Sequence, residues 1–300
     1  MTIGPSRTNR QGQRWTYDAA EAPTAYALRS RKIMSVVLAA LDATPSARVV
    51  LETAIQIGRL TGTDVTSVHV RRDALESIDT LKSLAARAMV PFRVLEGSVK
   101  PTLLEALGAP DVIVAVLGAR ATSGGRRSVG RTAAHIIEHL DKPVVLVPPE
   151  VAAPISIRRI LVPLEGAEAS SRPVREQLHP LLVAEVELIV LHVFTEATLP
   201  TMLDRPFRDL EILGKEFLKR HHSRAAHIEL RLGPVAERVA EVSAEHGADL
   251  IVLSWSQEGR AGRAQVVREV VRASTLPVML LPVTRSAHAL VRAADANGHA

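Results

Sequence analysis

The residues best suited to chemistry lie in one stretch, GARATSGGRRSVGRT, from Gly118 to Thr132. It sets Gly118, Gly124, Gly125 and Gly130 among Arg120, Arg126, Arg127 and Arg131. Glycines let backbone N–H groups converge on one point, and a helix that follows adds the positive end of its dipole. Together these favour an anion, phosphate above all. One helix terminus stabilises an anion by only about 0.3–2 kcal/mol, so useful affinity needs several loop amides plus the arginines. The flanking elements must hold this loop in place. Val112 to Leu117 is a short β-branched run, the pattern of a strand buried on both faces, and Gly118 ends it. From Thr132 to Leu140 the apolar positions Ala133, Ile136, Ile137 and Leu140 recur at helical spacing, and Pro143 to Val147 reads as a second buried strand. Strand, Gly-rich loop, helix, strand describes a parallel βαβ unit, whose crossover is right-handed in nearly all cases.

Other chemistries find no support in the residues. Ser123-Gly124-Gly125 is the SGG of a pyrophosphatase-type loop, but such a loop belongs after strand one, where this chain has DATPS. No G-x4-G-K-S/T occurs, which excludes a P-loop, and no G-x-S-x-G elbow or other nucleophile motif is present. His221, His222 and His227 lack the acidic or Cys company of a metal site and read as exposed histidines. His69 and His192 close apolar strands and read as hydrogen-bonded structural residues. No catalytic or metal-binding residue is therefore expected, and hydrolysis, if it occurs, is slow and incidental.

Composition sets the outer limits. Three hundred residues, 47% of them hydrophobic, can bury a sizeable core and suggest two domains. The apolar runs are too short or too interrupted for a membrane span, and the N-terminus lacks the apolar region of a secretory signal, so a cytoplasmic protein is expected. The net charge of +5 sits almost wholly in residues 1–32, where Arg7, Arg10, Arg14, Arg29, Arg31 and Lys32 face only Asp18 and Glu21. With the body near neutral and aromatics at 3%, nucleic acid is not an expected partner.

Along the chain, residues 1–31 are polar and aperiodic and read as a disordered arm. Strands are expected at Ile33–Leu41, Val65–Val70 and Phe92–Leu95. Helices are expected after Ser46 as N-cap, over Leu75–Ala88 and around Thr102–Leu107, with Gly62 ending the first. Together with the βαβ unit this makes an α/β fold, an open parallel five-stranded sheet with helices on both faces, over residues 32–149. The pattern then restarts. Asp42 at the end of strand one is matched by Glu165, and His69 at the end of strand two by His192, both at an offset of 123 positions. The run Asp249 to Pro282 repeats the opening stretch, with Gly118 matched by Ser254 and Pro143 by Pro277. Two tandem domains follow, 32–149 and 155–284, with a Pro-stiffened join between them and a tail over 285–300. The second has gained residues between strands two and four, and the stretch TEATLPTMLDRPFRDLEILG is where they are expected.

VVLAALDATPS and ILVPLEGAE at the strand-one ends, TSVHV and LIVLHV at the strand-two ends, and the run from Gly118 to Pro148 together resemble a tandem universal stress protein over nearly all of Ile33 to Val283. The resemblance implies a Rossmann-like, adenine-nucleotide-alpha-hydrolase-like fold and, for the subgroup that binds ATP, a loop similar to G-x2-G-x9-G-S/T. Carried onto this chain it implies that Asp42 and Val70 hold adenine, while Gly118, Gly130 and the amides of Arg131 and Thr132 hold ribose and phosphates, Mg2+ accompanying the ATP. Ala40, Leu41, Leu117 and Arg120 complete that set. The loop departs from the pattern in having Ala121 for the second Gly, one residue fewer before Gly130, and Arg131 for the hydroxyl residue. In the second half Ser254, Gln257, Ala264 and Gln265 stand at the four motif positions and Trp255 lies beside them, so that half is expected to have lost the nucleotide. The resemblance also implies pairing of the fifth strands, Val144–Val147 with Val278–Leu281, a pseudo-dimer within the chain that could dimerise further. Two functions follow from different classes: a nucleotide-binding regulator of the stress response, or a ligand-free assembly module, with a slow ATPase as a third.

Overall fold

The computed structural model describes residues 35–73, 75–119, 129–149, 153–164, 172, 174–194, 227–256 and 261–283. The first half runs β1 (Val36–Ala40), α1 (Ala47–Thr61), β2 (Asp64–Arg71), α2 (Asp79–Arg87), β3 (Phe92–Glu96), α3 (Val99–Gly108), β4 (Val112–Gly118), α4 (Arg131–His139) and β5 (Val144–Val147). The second runs β6 (Arg159–Pro163), a π-helical turn (Val174–Leu178) leading into α5 (His179–Leu181), β7 (Glu187–Phe194), β8 (His227–Leu232), α6 (Val235–Glu245), β9 (Leu250–Ser256), α7 (Ala261–Ala273) and β10 (Val278–Val283).

The strands form one sheet in the order β3-β2-β1-β4-β5-β10-β9-β6-β7-β8. Each half is parallel within itself, and the halves meet antiparallel where β5 pairs with β10, Val145 opposite Met279. The expected pairing of the fifth strands joins the two five-stranded sheets into one of ten strands. The fifth strands carry no charge and are buried along their whole length, so each covers the unpaired edge of the other. Both core clusters, one on each face of the sheet, draw on both halves. Leu38, Ile136, Leu161 and Val270 share one cluster, and Val37, Ile57, Ile160 and Met279 share the other.

Local rules explain most of the elements. Gly62 ends α1 in the left-handed region (φ 63°), as its position predicts, and Ala133, Ile136, Ile137 and Leu140 are all buried. Ser46 does not cap α1 with its side chain, contrary to expectation, because its hydroxyl lies 2.7 Å from that of Thr44 instead. The expected helix over 75–88 is shortened at its start, since Asp73 Oδ1 accepts the N–H of Leu75 at 3.0 Å and holds it in a turn. The third-strand glycines Gly97 (φ 133°) and Gly233 (φ 123°) occupy equivalent places before α3 and α6, a match the sequence reading passed over. Register is therefore restored by Gly233, and the added residues of the second half lie before β8, in a stretch outside the described residues.

Charge protects the outer edges. Arg71 pairs with Glu96 beside β3, and on β8 Arg231 reaches Glu229 at 2.5 Å and Glu245 at 2.8 Å while His246 lies 3.0 Å from Glu229. Inside the first half, Lys142 reaches over to the end of α3, its Nζ donating to the carbonyls of Ala109 and Val112. Burial pushes the Lys142 ammonium below its ordinary pKa, with Asp111 opposing the shift.

Met89 closes α2 in the left-handed region (φ 55°), with Val90 N–H bonded to the carbonyl of Ala85 and Met89 N–H to that of Ala86, the Schellman arrangement that favours glycine. Its side chain is 90% exposed and so contributes little packing. Met89→Gly is expected to stabilise the chain by about 1 kcal/mol in urea unfolding, since the backbone strain removed exceeds the entropy glycine adds to the unfolded state. A loss of stability would contradict this account of the turn.

Candidate functional site

In a sheet of order 3-2-1-4-5 the crossovers leave β1 toward one side and pass it toward the other, which opens a crevice at the carboxyl ends of β1 and β4. The candidate residues of the strands fall there. Ala40 is the register partner of Leu117 on β4 and of Val68 on β2. Leu41 continues β1, its N–H bonded to the carbonyl of Val68 at 2.8 Å. Gly118 follows Leu117 at the end of β4, next to Val147 of β5. Because β4 and β5 are parallel, α4 must run back between them, so its first residues stand above the same edge. Gly130, Arg131 and Thr132 therefore share that edge with Asp42. Arg120, Ala121, Gly124 and Gly125 lie outside the described residues.

The individual environments differ. Leu41, Val70 and Leu117 are buried, and Val70 and Leu117 belong to the same core cluster, so their side chains serve packing whatever else they meet. Asp42 is half-buried, and its Oδ1 accepts from Thr44 twice, from Oγ1 at 2.5 Å and from N–H at 3.3 Å. Gly130 caps α4 with φ −60° and ψ 153°, ordinary extended geometry, so glycine is not required there by its backbone angles. Its value is the missing side chain, which leaves the first-turn N–H groups uncovered. Arg131 is exposed and Thr132 half-buried.

His69 is structural, as expected. Its Nδ1 donates to the carbonyl of Leu41 at 2.8 Å, tying the end of β2 to the end of β1 immediately before Asp42. His192 repeats this on the carbonyl of Leu164 at 2.8 Å, with its ring edge-on to Phe194. His69 Nε2 also lies 3.3 Å from Glu76 Oε1, a close approach without hydrogen-bond alignment. Glu76 carries no motif and could not be singled out from sequence; the turn made by Asp73 places it.

The second half is built differently at the matching place. Strands β6 and β9 pair only at Ile160 and Leu161, whereas β1 and β4 pair along to Ala40, and Pro163, which has no N–H, stands where Ala40 does. Trp255 packs partly buried against the core with its Nε1 buried and unbonded. Helix α7 begins at Ala261, so Ala264 and Gln265, which match Gly130 and Arg131, lie inside a helix rather than at its start. Glu165 and Gln257 lie outside the described residues.

Comparison with known proteins agrees with this architecture. Residues 156–282 match the model of the universal stress protein family. The match falls on the half with the altered loop, whose strand-one sequence RRILVPLEG it includes. No curated protein matches the sequence. Among solved structures, a universal stress protein from Archaeoglobus fulgidus DSM 4304 is similar, with a TM-score of 0.59 and 16% identity over 84% of this chain and 99% of that one. A protein of unknown function from Pseudomonas aeruginosa PAO1 gives a TM-score of 0.59 and 12% identity over 87% of this chain and 97% of its own. At these identities the likeness is one of fold. Among the described residues no helix is long and apolar enough to cross a membrane, and no group of three or more His, Cys, Asp or Glu side chains could hold a metal ion.

Proposed function

We propose that this chain is a tandem universal stress protein that binds an adenine nucleotide, ATP with its Mg2+, in its first half alone, and that occupancy of that site regulates what the protein docks with. The reading rests on one asymmetry. In the first half Gly130 ends the loop and α4 starts beside it, presenting unpaired N–H groups and Arg131 at the carboxyl edge of β4, while in the second half the matching amides are consumed inside α7. Asp42 supplies an acceptor at the adenine end and Arg131 and Thr132 supply donors at the phosphate end. With no cluster of acidic ligands among the described residues, Mg2+ would be held chiefly by the phosphates. The same residues offer no activated nucleophile, which favours a regulatory rather than a catalytic role.

The test is a thermal shift of the full chain with ATP, together with calorimetric stoichiometry. At ATP about 100-fold above its Kd the site gains about 2.7 kcal/mol, a shift of several degrees. One nucleotide should bind per chain, and Gly130→Trp should abolish the shift by covering the first turn of α4. No shift at millimolar ATP favours the ligand-free assembly module, and two nucleotides per chain would refute confinement to the first half.

A further inference from the structure

Helix α4 carries a feature that the nucleotide reading does not use. His135 and His139 stand one turn apart, at the i and i+4 positions where side chains meet on a helix surface, and their rings stack with centroids 4.3 Å apart and planes 38° from parallel. His139 is exposed and His135 half-buried, so both are open to solvent. His139 Nδ1 lies 2.8 Å from the carbonyl oxygen of His135. A carbonyl only accepts, so Nδ1 carries the proton and Nε2 keeps its lone pair. A backbone carbonyl holding one ring nitrogen in this way is the usual support of a metal-ligating imidazole. A cation near a helix C-terminus is favoured by the dipole, which would explain His139 alone but not a second imidazole stacked on it one turn back. The duplicate helix has no such pair: by the match of Pro143 with Pro277, Glu269 and Ala273 take these places, and Glu269 is bonded to Gln265 at 2.8 Å.

We propose that His135 and His139 form a two-histidine site for a borderline divalent transition-metal ion such as Zn2+, Ni2+ or Cu2+. Two imidazoles at helical i, i+4 spacing on one face are the ligand pair that zinc helices use, and imidazole selects these ions over Mg2+ and Ca2+. With no third His, Cys, Asp or Glu ligand grouped with them among the described residues, water fills the other positions, so the site is open and exchangeable. It is independent of the nucleotide reading.

The test uses the full chain without a polyhistidine tag. Ni2+ and Zn2+ are titrated calorimetrically into wild type, His135→Gln, His139→Gln and a His221→Gln, His222→Gln control. Saturable binding should weaken about tenfold or more in each α4 variant and persist in the control, with metal-free melting unchanged. In the wild type, Ni2+ at low occupancy should broaden the ring-proton resonances of His135 and His139 before those of other histidines, which decides the matter should a variant not fold. Absence of saturable binding, equal binding in either α4 variant, or loss confined to the control would overturn the proposal.

Discussion

Val145→Asp is expected to unfold the entire chain in a single transition at much lower urea than the wild type. Val145 is completely buried in β5, opposite Met279 of β10, with core on both faces of the sheet. Its neighbours across the sheet, Val116 and Met279, are apolar and offer a carboxylate no partner. Burying one unpaired costs at least about 4 kcal/mol, a large part of the 5–15 kcal/mol by which most domains are stable. Because both core clusters draw on residues from both halves, damage at this seam cannot be confined to one of them. Met279→Leu, which conserves volume, should cost under about 1.5 kcal/mol. Urea unfolding followed by circular dichroism and by tryptophan fluorescence checks both. Two separated transitions in the variant, with one half retaining its midpoint, would show that the halves are independent domains.

Gly58→Ala is expected to destabilise the chain although alanine is the better helix former. Helix propensity alone favours the substitution by about 1 kcal/mol. In the structure, however, a Cβ at Gly58 would lie 2.6 Å from Val65 Cγ2 and 2.9 Å from the carbonyl oxygen of Thr63. The second contact is backbone, fixed by the 2.9 Å bond from Thr63 N–H to the Gly58 carbonyl, and cannot swing away. Overpacking of this kind costs about 1–3 kcal/mol, which outweighs the propensity gain. Gly62→Ala should also destabilise, since its backbone is left-handed and a Cβ would come 2.8 Å from Val183 Cγ2. Chemical denaturation of both variants decides, and a rise in midpoint for Gly58→Ala would mean that the α1–β2 turn opens freely.

The local part of this fold was legible because it is written in short-range patterns. Continuous β-branched runs marked β1, β4 and β5, the stripe from Ala133 to Leu140 marked α4, Gly62 marked the end of α1, and the 123-position echo of His69 in His192 marked the duplication. The apolar fifth strands, read with the family resemblance, even indicated the partner of each, since an uncharged strand edge has to be covered. What stayed hidden depends on side chains far apart in the sequence or on competition within a turn. Ser46 bonds to Thr44 instead of capping α1, and Asp73 delays α2 and so places Glu76 beside His69. Whether Gly130 opens a helix or Ala264 lies within one depends on where α4 and α7 begin, and helix ends are set by which groups are available to cap them. By itself, then, the sequence determined a duplicated, parallel α/β architecture and the sheet edge on which the candidate residues fall. Only the tertiary structure decided that the two halves share their cores and that α4 and α7 begin at different places relative to the matched residues. Periodicity records which side of an element is buried, but not which distant group buries it.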